Sequence, residues 1–172
     1  MVDIQSVTQS TIAALGLRNG LFHAEFIAGP DRIVPIDVAA RGGGVLIYRH
    51  VLPHVSGVDV NRAMIELAMG QRPQISPLPI RRCANIEFLR MPAGRFEAMC
   101  HVDQASAVAD VAAIVFNVAP GDAVGAVNDK DQRPGYVVAL SDSSSAAIAA
   151  CTSAKAMMRV RIQGIDTALP LT

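Results

Sequence analysis

Between positions 71 and 80 the chain reads QRPQISPLPI, with prolines at 73, 77 and 79. Each proline removes a backbone donor and pushes its predecessor towards extended geometry, so neither a helix nor a central strand can run through this stretch. The segment reads as an extended connector. It divides the 172 residues into an N-terminal piece, 1–75, and a C-terminal piece, 76–172. The chain has 51% apolar, 17% charged and 4% aromatic residues, which excludes a disordered polymer and implies aliphatic-rich, globular folding.

The first piece carries strong local signals. Ile4, Val7, Thr11, Ile12 and Leu15 recur at helical spacing over residues 3–15, with Gly16 as the stop. Two strand-like runs follow, LFHAEFIA and RIVPIDVAA, separated by Gly29-Pro30-Asp31. Pro35 weakens the second run's hydrogen-bond ladder and implies an edge or a bulge. The segment VLIYRHVLPHVSG predicts a short helix interrupted near Pro53. Asp59 is placed to cap a helix running to Met69, with Val60, Met64 and Leu67 inward and Gly70 at its end.

The second piece is richer in strands. CANIEFLRMP and GRFEAMCHV read as strands about a turn at Pro92–Gly94, and VADVAAIVFNVAPGDAV as a strand ending in a turn at 120–122. Asp129, Lys130, Asp131 and Arg133 read as an exposed hairpin tip. GYVVALSD is a further strand, with Ser141, Asp142 or Ser143 available to cap an alanine-rich helix over 145–157. RVRIQG closes the series, with Arg159 and Arg161 on its solvated face. Strands that outnumber helices and follow one another through short turns predict an α+β fold with antiparallel pairing.

Several function classes are excluded early. Formal net charge is zero, so no global field draws the chain to nucleic acid or an anionic membrane, and any anion site must be local. No apolar stretch reaches the roughly 18 residues of a membrane span. The N-terminus lacks the basic and apolar regions of a secretory signal. Cys83, Cys100 and Cys151 show neither a metal pair nor a disulfide framework, which fits reduced thiols in a cytoplasmic protein. His50 and His54 stand four apart, as zinc ligands on a helix often do. No third ligand is evident, and packed or surface histidines are the simpler reading. The methionines at 64, 69, 157 and 158 read as core filler.

Chemistry concentrates in residues 23–44, HAEFIAGPDRIVPIDVAARGGG. A three-residue loop at 29–31 would pair odd positions with odd. Because side chains alternate faces along a strand, His23, Glu25, Asp37 and Arg41 would then share one face, opposite a wholly apolar one carrying Val34, Ile36 and Val38. Two facing carboxylates repel unless a cation lies between them, and Mg2+ typically uses one or two carboxylates plus substrate phosphates. Arg41 offers a planar fork for phosphate or carboxylate, and Gly42–Gly44 would let backbone amides approach an anion. The same pattern also fits a solvated hairpin with a Glu25–Arg41 surface ion pair.

GLRNGLFHAEF, IDVAARGGG, SGVD and IELAMG together resemble the C-terminal part of the ATP-grasp ligases. The likeness is closest to the L-amino acid ligase and carbamoyl-phosphate-synthase-like branch, with biotin carboxylase more distant. It is strong over residues 5–75. It continues more loosely over 80–163, where GRFEAM, RPGYVVALSD and AAIAACTSA resemble the C-terminal domain that these ligases carry. The resemblance implies the C-terminal half of an ATP-grasp domain, an antiparallel sheet with helices, followed by a small, mostly antiparallel β-sheet domain with a helix.

It also implies Glu25 and Asp37 as ligands of Mg2+ (or Mn2+) and Arg41 as the catalytic arginine that meets phosphate or substrate. Gly43 and Gly44 would lie in the substrate-facing loop and Ile27 at the adenine. His23 would either contact ATP or hydrogen-bond to Glu25. Asp37 stands where the family usually has Glu, and Ala39 where many members have an Asn ligand. The implied reaction is ATP-dependent activation of a small-molecule carboxylate as an acyl phosphate, followed by attack of an amine.

The lysines and the glycine-rich flap that the family places over the phosphates have no counterpart, since Lys130 and Lys155 are the only lysines. The chain alone is therefore expected to be inactive. Its expected partner is an N-terminal ATP-grasp half in the same or a separate chain, and an apolar surface left for that half would also allow a homodimer. The competing expectation is a non-catalytic binding or oligomerisation module with a vestigial site.

Overall fold

A computed structural model describes residues 3–78 and 82–169. The chain separates into two compact units, Met1–Leu78 and Pro79–Thr172.

The first unit opens with helix α1, Ile4–Ala14, whose N-cap Asp3 accepts from the Gln5 and Ser6 amides. Gly16 follows at φ +70°, the left-handed exit that glycine adopts without strain. Strands β1 (His23–Ala28) and β2 (Ile33–Ala39) form an antiparallel hairpin. Its loop holds four residues rather than three, closed by the Gly29 amide on the Arg32 carbonyl at 2.8 Å. Near the turn the register is therefore odd with even: Ile27 faces Val34 and Phe26 faces Pro35.

A bulge then skips Ile36, and beyond it Glu25 faces Asp37 and His23 faces Ala39. Pro35, lacking an N–H, cannot carry the ladder onward, and the extra residue beside it absorbs the mismatch. The bulge restores the expected pairing of the two acids. It also moves Val34 onto their face, so the three β2 residues expected to share an apolar face do not.

After the glycines, Val45 (φ 54°) and Leu46 (φ 60°) both adopt left-handed backbone, a costly conformation for side chains of this kind. A single π-helical turn, Ile47–Val51, leads directly into α2, Leu52–Ser56. Pro53 does not interrupt the helix as expected. It sits in the first turn of α2, where its missing donor costs little. Helix α3, Val60–Ala68, is capped by Asp59, which accepts from the Arg62 amide at 3.0 Å. Val60 is buried as expected, Leu67 is half-buried, and Met64 is 37% exposed and does not pack inward. Residues 71–78 are irregular, and the Leu78 amide bonds to the Ser56 carbonyl at 2.7 Å.

The second unit contains two antiparallel sheets. Strands β3 (Cys83–Phe88), β7 (Gly135–Ser141) and β5 (Val111–Phe116) form one, in the order β3-β7-β5. Strands β6 (Ala123–Val124), β4 (Gly94–Cys100), β8 (Arg159–Ile162) and β9 (Ile165–Ala168) form the other, in the order β6-β4-β8-β9. β3 and β4 are thus not the hairpin that sequence suggested. Leu89 and Met91 between them are buried, so the link dips into the core instead of turning at the surface.

Helix α4 (Val102–Ser106) and strand β9 lie outside the expected elements. β9 pairs with β8 across a turn in which Gln163 and Gly164 have φ of 51° and 77°, the left-handed pair of a tight hairpin. Residues 130–132 form a 3-10 turn capped by Asp129, not a hairpin tip. Arg133 lies over the Phe88 ring at 4.0 Å. Helix α5, Ser144–Met157, begins at Ser143, whose hydroxyl accepts from the Ala146 amide, and packs on β7 and β3. The core gathers Leu89, Phe96, Val137, Ala139, Cys151, Met158 and Val160. Of the four methionines read as core filler, only Met158 is buried; Met64, Met69 and Met157 are exposed.

Candidate functional site

The hairpin of the first unit brings Glu25 and Asp37 directly opposite each other, and residues in that relation project from the same face of the sheet. Both are exposed. His23, two positions before Glu25, shares their face, and its Nε2 lies 3.3 Å from the Glu25 carboxylate. The imidazole therefore steadies one oxygen of Glu25. Ile27, on the same face, is 61% exposed, and Val34 lies opposite it. An apolar strip thus adjoins the acids.

Arg41 follows the end of β2. Its guanidinium donates to the Gly42 carbonyl at 2.8 Å, and among the described residues it pairs with neither Glu25 nor Asp37. The surface ion pair that sequence allowed is not formed. The glycines have an internal reason to be glycines. A Cβ on Gly43 would stand 2.9 Å from the His23 Nδ1 atom, and one on Gly42 would stand 2.4 Å from the Tyr48 ring. Gly44 has nothing within 4 Å. The turn is therefore moulded onto His23 and Tyr48, which ties the geometry of the loop to that of the acid face. Tyr48 and the strained pair Val45–Leu46 were not singled out from sequence, because neither carries a motif of its own.

The remaining chemical candidates lie elsewhere. Among the described residues, no group of three or more His, Cys, Asp or Glu side chains is arranged to hold a metal ion, and His50 and His54 belong to no such group. Cys151 is buried, and its thiol donates to the Asn85 and Val137 carbonyls at 3.7 Å. Burial pushes its pKa up, the opposite of what a nucleophile needs. Lys155, 3% exposed, is held in an ion pair with Glu87. No described helix is long and apolar enough to cross a membrane.

Three solved structures share the fold of the chain. The chain is similar to phosphoribosylglycinamide synthetase from Anaerococcus prevotii over 92% of its own length and 41% of that protein's, at 12% identity and a TM-score of 0.79. It is similar to L-amino acid ligase from Bacillus licheniformis over 95% of its length and 44% of that protein's, at 18% identity and a TM-score of 0.74. Biotin carboxylase from Campylobacter jejuni matches over 98% and 37%, at 18% identity and a TM-score of 0.59. At these identities the likeness establishes the fold, which is that of the C-terminal part of ATP-grasp ligases. More particularly, residues 87–163 match the family model of L-amino acid ligase C-terminal domain 2. No curated protein matches the sequence significantly. The chain spans less than half the length of each of these three structures.

Proposed function

We propose that the chain is the C-terminal portion of an ATP-dependent carboxylate–amine ligase, contributing residues that meet Mg-ATP and substrate in a reaction that passes through an acyl phosphate. The observation that carries this reading is the in-register pair Glu25–Asp37 on a fold of the ATP-grasp class. Two hard oxygen donors, with no third protein ligand arranged beside them among the described residues, fit Mg2+ (or Mn2+) completed by water and phosphate. They do not fit a metal site made by protein alone. Bound there, the ion would neutralise phosphate charge.

The chain's own residues would act as follows. Glu25 and Asp37 present their carboxylates from one face, and His23 limits the rotation of Glu25 through its contact. Ile27 and Val34 offer an apolar strip suited to a nucleobase. Arg41 exchanges the neutral Gly42 carbonyl for an anionic oxygen, to which a guanidinium bonds more strongly. Gly43 holds the loop against His23, so the backbone amides beyond it have a fixed base. Water exclusion and the remaining phosphate contacts fall to an N-terminal ATP-grasp half, in the same or a separate chain. Lys155 cannot supply them while it is committed to Glu87.

One observation favours a second reading, a binding or oligomerisation module with a vestigial site. Ala39, opposite His23 in the register, offers no donor where a further ligand would stand. Calorimetric titration of Mg-ATP into the chain separates the two. Binding that disappears in Glu25→Ala/Asp37→Ala is expected. Binding of equal strength in that variant, or none to either protein, would leave the module reading. Both positions are exposed, so the variant should retain its fold, with circular dichroism as the check.

A further inference from the structure

A second concave surface of the first unit combines positive charge with apolar side chains. It lies between the loop joining α1 to β1 and the segment after α3. Arg18, Asn19, Arg72 and Gln74 line it together with Phe22, Leu67 and Ile75. No acidic residue lines it. Among the described residues, neither Arg18 nor Arg72 makes an ion pair or side-chain hydrogen bond. Other arginines of the chain are tied down: Arg62 to Glu66, Arg161 to Asp166 and Arg95 to the Gly121 carbonyl.

Arg72 also borders a neighbouring hollow that holds Asp59 and Glu66, but those acids are engaged. Glu66 accepts from Arg62 at 2.8 Å, and Asp59 caps α3. Two like charges in one hollow repel, and no acidic side chain among those lining it separates them. Guanidinium groups in that position suit an anion, because their planar forks match carboxylate and phosphate oxygens. The lining also offers the amide side chains of Asn19 and Gln74 as neutral donors, and Phe22, Leu67 and Ile75 as apolar surface suited to a hydrocarbon or aromatic body. Phe22 precedes His23, and strand alternation turns it away from the face of His23 and Glu25. The hollow is therefore distinct from the carboxylate pair.

We infer that this hollow binds a small organic anion, a carboxylate or phosphate on an apolar body, separately from the Glu25–Asp37 face. The inference does not depend on the ligase reading. Its test is titration of the full chain with phenyl phosphate and, in parallel, phenylacetate, following the arginine Nε–H resonances by NMR at low ionic strength, where exposed charges are least screened. Saturable shifts at Arg18 and Arg72 are expected, with the stronger probe distinguishing a phosphate from a carboxylate site. Arg18→Gln and Arg72→Gln should each weaken binding by about tenfold, the usual scale of a lost charge-assisted hydrogen bond. The Glu25→Ala/Asp37→Ala variant should bind as the unaltered chain does.

Three results would overturn the inference. One is the absence of saturable shifts with both probes. Another is equal affinity in the two arginine variants. The third is loss of binding in the carboxylate variant, which would move the anion to the hairpin face.

Discussion

The two units use their apolar residues in opposite ways. In residues 82–169, Leu89, Val137, Val138, Cys151, Met158 and Val160 are essentially inaccessible to solvent, and α5 covers the central strand β7. In residues 3–78, Val60 is the single described hydrophobic side chain classed as buried, at 7% exposure, while Ile27, Ile36, Ile65 and Met69 are each more than half exposed. The second unit closes its own core. The first forms good local structure, capped helices and a hairpin, but leaves much of its apolar surface to water. A contiguous apolar patch marks an interaction site, and whether these side chains act as one is what separating the units tests.

The largest test of this contrast is to separate the units. Residues 79–172 alone should unfold in one cooperative transition, followed by urea and circular dichroism. Residues 1–78 alone should bind a hydrophobic dye and melt without a sharp transition. A cooperative, dye-free fragment 1–78 would break the comparison and show that its exposed residues are incidental.

Single substitutions sharpen it. Leu89→Ala removes a fully buried side chain and should cost about 2–5 kcal/mol. Ile36→Ala removes an apolar side chain 56% exposed on the hairpin bulge and should fall within about 0.5 kcal/mol. Equal costs in equilibrium denaturation would mean that the hairpin is packed in solution, against a partner or a second copy.

The same division decides what sequence could reveal. Helix α1 with its Gly16 stop, the β1–β2 hairpin, α3 with Asp59 and α5 with Ser143 among its three candidate caps were all legible, because caps, periodicity and turn residues act within a few positions; the Asp3 cap of α1 was not read. The pairing of Glu25 with Asp37 was legible for a partly wrong reason. The loop was misjudged by one residue, and the bulge at Ile36 corrected it. The second unit was least legible in its topology. β3 and β4 follow each other across a proline turn yet join different sheets, because Leu89 and Met91 enter the core between them. That choice depends on contacts with β7 and β8, far along the chain. β9 was missed because its hairpin signal, Gln163-Gly164, was read as an ending. At the candidate site the acids, Arg41 and the glycines were visible, but the fit of Gly42 and Gly43 against Tyr48 and His23 was not, since it is set by distance in space.

The smallest expected effect lies at the open edge of the second unit and asks whether its stability is uniform. Asp166 on β9 faces Arg161 on β8 and accepts from its guanidinium at 2.8 and 3.3 Å. That hydrogen bond, with the nearby positive charges, holds the Asp166 pKa below its ordinary 3.8. A carboxyl whose folded pKa is depressed stabilises the fold above its unfolded pKa. The contribution is lost as pH falls through the lower, folded value. Both side chains are exposed, so the effect should be local and weakened by salt. Amide exchange of Ile165 and Thr167, whose N–H groups point to β8, expressed as protection factors to remove the intrinsic pH dependence, should therefore fall as pH drops below about 3.8, while β7 stays protected. Asp166→Asn should lower protection of the same amides at neutral pH and abolish the further decline in acid. If β7 and β9 instead lose protection together, the edge is part of one cooperative block. The contrast would then lie only between the units, and not also within the second.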